Sequence, residues 1–341
     1  MMITTKDGQD PRVLEDMFYA KQFAFSYSSL NKLLHSPGLF YRQYVLGEKE
    51  ELMEASVIEG RVIHCLLLDQ ESFSDQFVIA QSKLPSDNVR DVIGRIYEIH
   101  KSEDEKRMEL SEFKDEILEI LKEKNFYQSI KKDEDRLAKI ITEDSQEYFT
   151  FLRMSSKKTP ISAETYSRCV EVVDSISNHS CMQIMGMTDN SDLSHVYNEL
   201  MIEVDSQFAE FPFGLKGTID NLFIDVENKT IRINDIKTTS RTIVDFPDTV
   251  QYYNYWLQAA MYMRLGKSLV QNLKDDYRDY NIVFSFVVVD KYNQVYVFEV
   301  SEETMTNWEI DLQEKLKEAK YHYESRDYSL PYKFLKSKVM L

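Results

Sequence analysis

Cysteine, glycine, proline and positive charge are all scarce in this chain. Only 3 cysteines occur among 341 residues, at Cys65, Cys169 and Cys181, far apart and without C-x-x-C spacing. That excludes a disulfide framework and argues against a cysteine-held zinc or iron–sulfur centre, leaving reduced thiols of the cytoplasmic kind. With 9 glycines and 7 prolines the chain is neither a linker nor a low-complexity protein. A formal net charge of −17 excludes a surface that attracts nucleic acid everywhere, because phosphate binding draws on lysine and arginine, but it leaves room for a local basic groove. No apolar run approaches the length of a membrane span, and MMITTKDGQD lacks the basic-then-apolar pattern of a signal peptide. A soluble cytoplasmic protein with no membrane partner is expected.

What is present is enough apolar residue, 43%, to bury a sizeable core. Residues 1–20 are polar and read as a loose arm. In 21–74, SYSSLNKLLHSPGLFYRQYVLG offers serines to cap a helix, a break at Ser36-Pro37-Gly38, and a second helix starting near Pro37. EASVIEGRVIHCLLLD then predicts a helix on which Gly60 and His64 share a face, the glycine leaving room beside the imidazole. Residues 75–194 are charged and helical in pattern, with KSEDEKRMELSEFKDEILEILKEKNF the clearest amphipathic run, and read as an insertion or cap with solvated faces. Two further helices follow from DSQEYFTFLRM and TYSRCVEVVDSISNH.

From 195 to 341 the pattern turns to strands. HVYNELMIEV, GLKGTIDNLFID and TIRINDIKTT alternate or run apolar, the last two joined by a turn at Glu227-Asn228-Lys229. NIVFSFVVVD and QVYVFEVS form a later pair around Lys291-Tyr292-Asn293. Between the pairs lies a helix carrying WLQAAMYMRLG, with Gly266 as its expected stop, and NWEIDLQEKLKEAKYHYESRDY predicts a closing helix. The fold class is α/β, a mixed central sheet flanked by helices with a helical insertion.

One strand carries unusual chemistry. Its period of two puts Ile231, Ile233, Asp235 and Lys237 on one face, so an apolar row ends in an acid and a base. Asp220 approaches them if the preceding strand pairs as a hairpin. Two carboxylates held together repel, which a hard divalent cation such as Mg²⁺ or Mn²⁺ relieves. The bland alternative is an exposed ion pair at the end of a surface hairpin. Against it stands the cost of burying charge at the end of an apolar row.

Gly60-x-x-x-His64, Gly217-Thr218-Ile219-Asp220, Asp235-Ile236-Lys237-Thr238 and Gln258-x-x-x-Tyr262 occur in this order. Together with the serine-rich, proline-broken entry, they resemble the RecB-like branch of the PD-(D/E)XK nuclease superfamily and the RecE-type phage recombination exonucleases. The resemblance covers the entry, the His64 helix and about 195–300, not the charged middle. It implies a restriction-endonuclease-like nuclease core and a Mg²⁺-dependent or Mn²⁺-dependent DNA exonuclease of recombination or end processing. His64, Asp220, Asp235 and the Ile236 carbonyl would hold the metal. Lys237 would act on the water or the developing charge, so that Asp220, Asp235 and Lys237 carry catalysis. Gln258 and Tyr262 would line the site against the DNA end, Thr238 would support the strand end, and Glu199 stands as an outer acid. Gln251 and Tyr255 repeat the Gln-x-x-x-Tyr spacing one heptad earlier. The family's four-cysteine iron–sulfur cluster is not expected here. Expected partners are DNA, a single-strand annealing or recombination protein, and other copies of the chain, since related exonucleases form rings that thread DNA. Two rival readings remain: a nuclease-like protein that binds DNA ends or a partner without cutting, and an acidic interaction protein or DNA mimic.

Overall fold

The computed structural model describes residues 11–21, 23–48, 54–80, 84–100, 109–154, 158–188, 194–206, 210–273 and 277–337. The first ten residues of the expected arm, and KSEDEKRM at the head of the amphipathic run, lie outside them. The chain forms two compact units, one of 1–51 with 175–341 and one of 52–174.

Eight strands are present among the described residues: β1 (Ala24–Phe25), β2 (Phe77–Ala80), β3 (Thr159–Ser162), β4 (His195–Val204), β5 (Gly214–Asp225), β6 (Thr230–Thr238), β7 (Asn281–Val289) and β8 (Val295–Glu299). Six of them build a mixed sheet in the order β1-β5-β6-β7-β8, with β4 also on β5. β4–β5, β5–β6 and β7–β8 are antiparallel, while β6–β7 and β1–β5 are parallel. β4 pairs along nearly all of β5, so β6 and β1 share the other edge of β5, at its two ends. Residues 216–220 lie between them, and this opening holds the site.

Helices cover the sheet because each has an apolar face to bury. The entry helix Tyr27–His35 starts at Ser26, whose hydroxyl takes the Ser29 N–H in a reciprocal capping box, and it buries Leu30 and Leu33. Pro37 opens a short helix to Phe40, and a π turn follows over Tyr41–Val45. The long helix Tyr255–Asn272 buries Leu257 to Met263 almost continuously, as a helix laid on a sheet must. The closing helix Glu302–Ser325 is capped by Ser301 and buries Leu312, Leu316 and Ala319.

Two sequence expectations are corrected here. Residues 11–20 are not a loose arm: Pro11–Ala20 is a helix, and Phe18 is 8% exposed within the main core. Gly266 is not a helix stop. It lies inside Tyr255–Asn272, where a Cβ would come within 2.5 Å of Ile233 Cδ1, so its smallness lets the helix approach β6.

The unit of 52–174 is mainly helical. Its core gathers Val92, Ile93 and Ile96 from Asp87–His100, Ile117 and Leu121 from Lys114–Glu123, and Phe149 and Leu152 from Glu143–Met154. A short parallel pair, β2 with β3, adds the only strands described there. His64 sits on its helix Ala55–Leu68, half-buried. A Cβ at Gly60 would touch nothing within 4 Å, so close packing does not demand that glycine, contrary to expectation. No described helix is long and apolar enough to cross a membrane. All three cysteines are free and buried.

Candidate active site

The β5–β6 ladder runs from Asp225↔Thr230 to Asn221↔Asn234 and ends there. Beyond that pair β6 continues against β7 through Thr238, while the Ile236 N–H, facing the opening, donates to Asp220 Oδ2 at 2.7 Å. A carboxylate thus stands where a strand's carbonyl would otherwise serve. This satisfies a buried donor and fixes Asp220 at the edge of β6.

Asp235 is 0% exposed. Its Oδ1 accepts from Gln258 Nε2 at 2.9 Å, and the Lys237 ammonium stands 2.6 Å from Oδ2. The same Gln258 Nε2 donates to the Tyr262 hydroxyl at 3.1 Å. Gln258 and Tyr262 are one turn apart on Tyr255–Asn272, so a single helix face meets the acid. Gly217 makes room for this face, since a Cβ there would lie 2.8 Å from Tyr262 Cε1. The exposed-ion-pair alternative therefore fails: the Asp235–Lys237 pair is held inside the protein.

Glu199 completes the acids of this unit. The register of β4 on β5 places it across from Asp220, between the pairs Asn198↔Asn221 and Leu200↔Ile219. Carboxylate oxygens of Glu199 and Asp220 come within 4.8 Å of one another. The Glu199 backbone is left-handed, φ 48°, a conformation that costs a non-glycine residue about 1–3 kcal/mol and concentrates at functional sites. Sequence reading left Glu199 as an outer acid; here it faces Asp220 directly.

Behind the acids runs a device that sequence reading missed. Asn221 Nδ2 donates to Asn198 Oδ1 at 2.9 Å, and Asn234 Nδ2 donates to Asn221 Oδ1 at 2.7 Å. Asn221 and Asn234 are fully buried. This row ties β4, β5 and β6 together one residue from Glu199, Asp220 and Asp235. The available signal was an asparagine beside each acid, in Asn198-Glu199, Asp220-Asn221 and Asn234-Asp235.

Electrostatics agree with the geometry. Burial works against the Lys237 charge, but Asp235 and then Asp220 outweigh it and hold its pKa above the usual lysine value. Its ammonium also lies 4.9 Å from the centre of the Tyr255 ring, near enough for a cation–π contact. Burial, followed by Asp235 and Asp220, raises the Tyr262 pKa, so the phenol stays protonated. Three carboxylates against one ammonium leave two formal negative charges, which a divalent cation offsets. Hard oxygen donors are also what Mg²⁺ and Mn²⁺ prefer. The residues fit such an ion.

Of the residues singled out in the sequence, Asp220, Asp235, Ile236, Lys237, Gln258 and Tyr262 converge within one unit. His64 belongs to the other unit. Of the alternative pair, Gln251 is exposed, and Tyr255 lies beside Lys237.

A sequence model of the PD-(D/E)XK nuclease superfamily matches residues 24–329. The chain belongs to that superfamily, whose nucleases use divalent metal ions. Among solved structures, a protein from Eubacterium rectale described as a "putative exonuclease" is similar at 10% identity and a TM-score of 0.41, over 93% of this chain and 86% of that one. Among curated proteins no significant match was found.

Proposed function

We propose that this chain is a metal-dependent DNA exonuclease acting in recombination or end processing. The observation that carries the reading is the buried Asp235, held by Gln258 on one oxygen and by Lys237 on the other, beside Asp220 at the split between β5 and β6. An apolar strand end that buries two acids and a base needs a use for them.

In this reading Asp220, Asp235 and Glu199 supply carboxylate oxygens to Mg²⁺ or Mn²⁺, with the Ile236 carbonyl as a further ligand. A bound divalent cation polarises a phosphate oxygen and makes a coordinated water more acidic. Asp235 and Asp220 favour the charged form of Lys237. Its role is to orient the attacking water and to offset negative charge growing on the phosphate, and Asp235 holds it in place. Gln258 keeps Asp235 in one rotamer, and Tyr262 positions Gln258. The asparagine row behind the acids keeps the three strands in register.

Digestion of linear and covalently closed DNA, labelled at either end, tests the reading. Mg²⁺ or Mn²⁺ should permit loss of the linear form while the closed circle persists, and EDTA should stop it. Equal cutting of both forms would make the enzyme an endonuclease. No cutting of either would leave the non-cutting rival.

A further inference from the structure

The sequence from Tyr252 to Trp256 reads Tyr-Tyr-Asn-Tyr-Trp, and nothing in the catalytic reading accounts for its outer rings. It forms the elbow between the helices Phe246–Tyr252 and Tyr255–Asn272. Asn254 makes the corner in the left-handed region, φ 58°, which asparagine tolerates better than most residues. Tyr252 is 72% and Tyr253 52% exposed. The rings are nevertheless ordered among themselves. Tyr252 meets Tyr253 edge-on at 4.8 Å, and Tyr253 stacks on Tyr255 at 5.6 Å with 25° between planes. Tyr255 in turn lies under the Lys237 ammonium. The series runs from solvent to the catalytic lysine.

The backbone beneath these rings is pinned. The Tyr27 hydroxyl, on the entry helix, donates to the Tyr253 carbonyl. Asn254 Nδ2 donates to Asn31 Oδ1 at 3.0 Å, and Trp256 Nε1 donates to Asn254 Oδ1 at 3.2 Å. The exposed aromatics therefore sit on a preset frame, which lowers the entropy lost when a flat ligand lands on them.

We propose that Tyr252 and Tyr253 are a stacking platform for the bases of an unpaired DNA strand, feeding that strand past Tyr255 to Lys237 and Asp235. This deepens the nuclease reading and rests on it. Three observations select the occupant. Flat faces stacked toward a phosphate-hydrolysing site suit bases, whose own flat faces stack on tyrosine in any sequence. In a duplex those faces are covered by neighbouring bases, so the strand must be unpaired. A chain of net charge −17 gains little from long-range attraction of phosphates, which adds to the weight carried by contacts with bases.

The test uses the full chain in EDTA, where no cutting occurs, with anisotropy of a labelled oligothymidylate as readout. Tyr253→Ala should weaken binding about tenfold, Tyr252→Ala together with Tyr253→Ala further still, and Tyr253→Phe should keep most of the affinity. A strand of equal length made abasic should bind weakly to the unaltered protein and be indifferent to these changes. Thermal melting verifies that the variants, altered on the surface, remain folded. Equal affinity of the folded double alanine variant and the unaltered protein for oligothymidylate would overturn the platform. So would a protein that cuts duplex DNA with metal but does not bind the strand, and that result would leave the nuclease reading standing. A protein that neither cuts nor binds overturns both.

Discussion

Asp235 and Lys237 hold each other in place, and the consequence of separating them is unequal on the two sides. Removing the ammonium leaves a fully buried carboxylate with no cation, a class of change that costs about 3–5 kcal/mol. Lys237→Met should therefore lower the unfolding free energy by about that amount in EDTA, and adding Asp235→Asn should recover much of it. Chemical denaturation of the single and double variants checks this, and a wild-type midpoint in Lys237→Met would show that the pair contributes nothing. Removing the carboxylate is milder. Lys237 retains some exposure, 15% of its side chain, and its contact with the Tyr255 ring, while an asparagine oxygen can still accept from Gln258. Asp235→Asn is accordingly the cleaner probe of chemistry, and loss of activity in Lys237 variants has to be read beside their stability.

At the level of elements, the site exists because β5 and β6 part company at Asp220 and Asp235 while one helix closes over them. Gly217 on β5 and Gly266 on the helix mark the close approaches between that helix and the sheet. They differ in what would have to give. Ile233 Cδ1 beside Gly266 is the far end of a flexible side chain. Tyr262 beside Gly217 is a rigid ring whose hydroxyl accepts from Gln258. Gly217→Ala should therefore displace Tyr262 and, through Gln258, Asp235, lowering the catalytic rate at least about tenfold while the melting temperature moves only a few degrees. Steady-state rates and thermal melting on the same sample check this, and an unchanged rate would show that Tyr262 does not position the acid.

The central strands, the site helix and the order of the acids, the lysine and Gln258-x-x-x-Tyr262 were all legible in the sequence, because alternation and helical spacing record which face a residue occupies. What was not legible follows from tertiary contact. Gly266 looked like a stop, since its packing against Ile233 is invisible without the sheet. Asn221 and Asn234 drew no reading from the sequence, and only the register of three strands shows that they are bonded in the core. Residues 11–20 looked too polar to pack, yet Phe18 and Tyr19 seat their helix on a cluster of aromatic rings.

For the whole molecule, scarcity of cysteine translates into three buried free thiols, with burial pushing Cys169 and Cys181 up to about 11, so neither offers a thiolate at neutral pH. Three carboxylates, Glu199, Asp220 and Asp235, gather near Lys237, and elsewhere charge decorates helix faces, as in Lys317 with Glu314 and Lys320 with Glu324 on Glu302–Ser325. Exposed pairs of this kind contribute little to stability, whereas the buried Asp235–Lys237 pair is the one on which the proposed chemistry rests. The direct test is release of labelled nucleotide from linear duplex DNA by metal-stripped protein to which Mg²⁺ or Mn²⁺ is returned, with Asp235→Asn alongside. Release by the unaltered protein is expected only after metal is added, with a loss of at least about a thousandfold in the folded variant. Release at the unaltered rate by Asp235→Asn would contradict it.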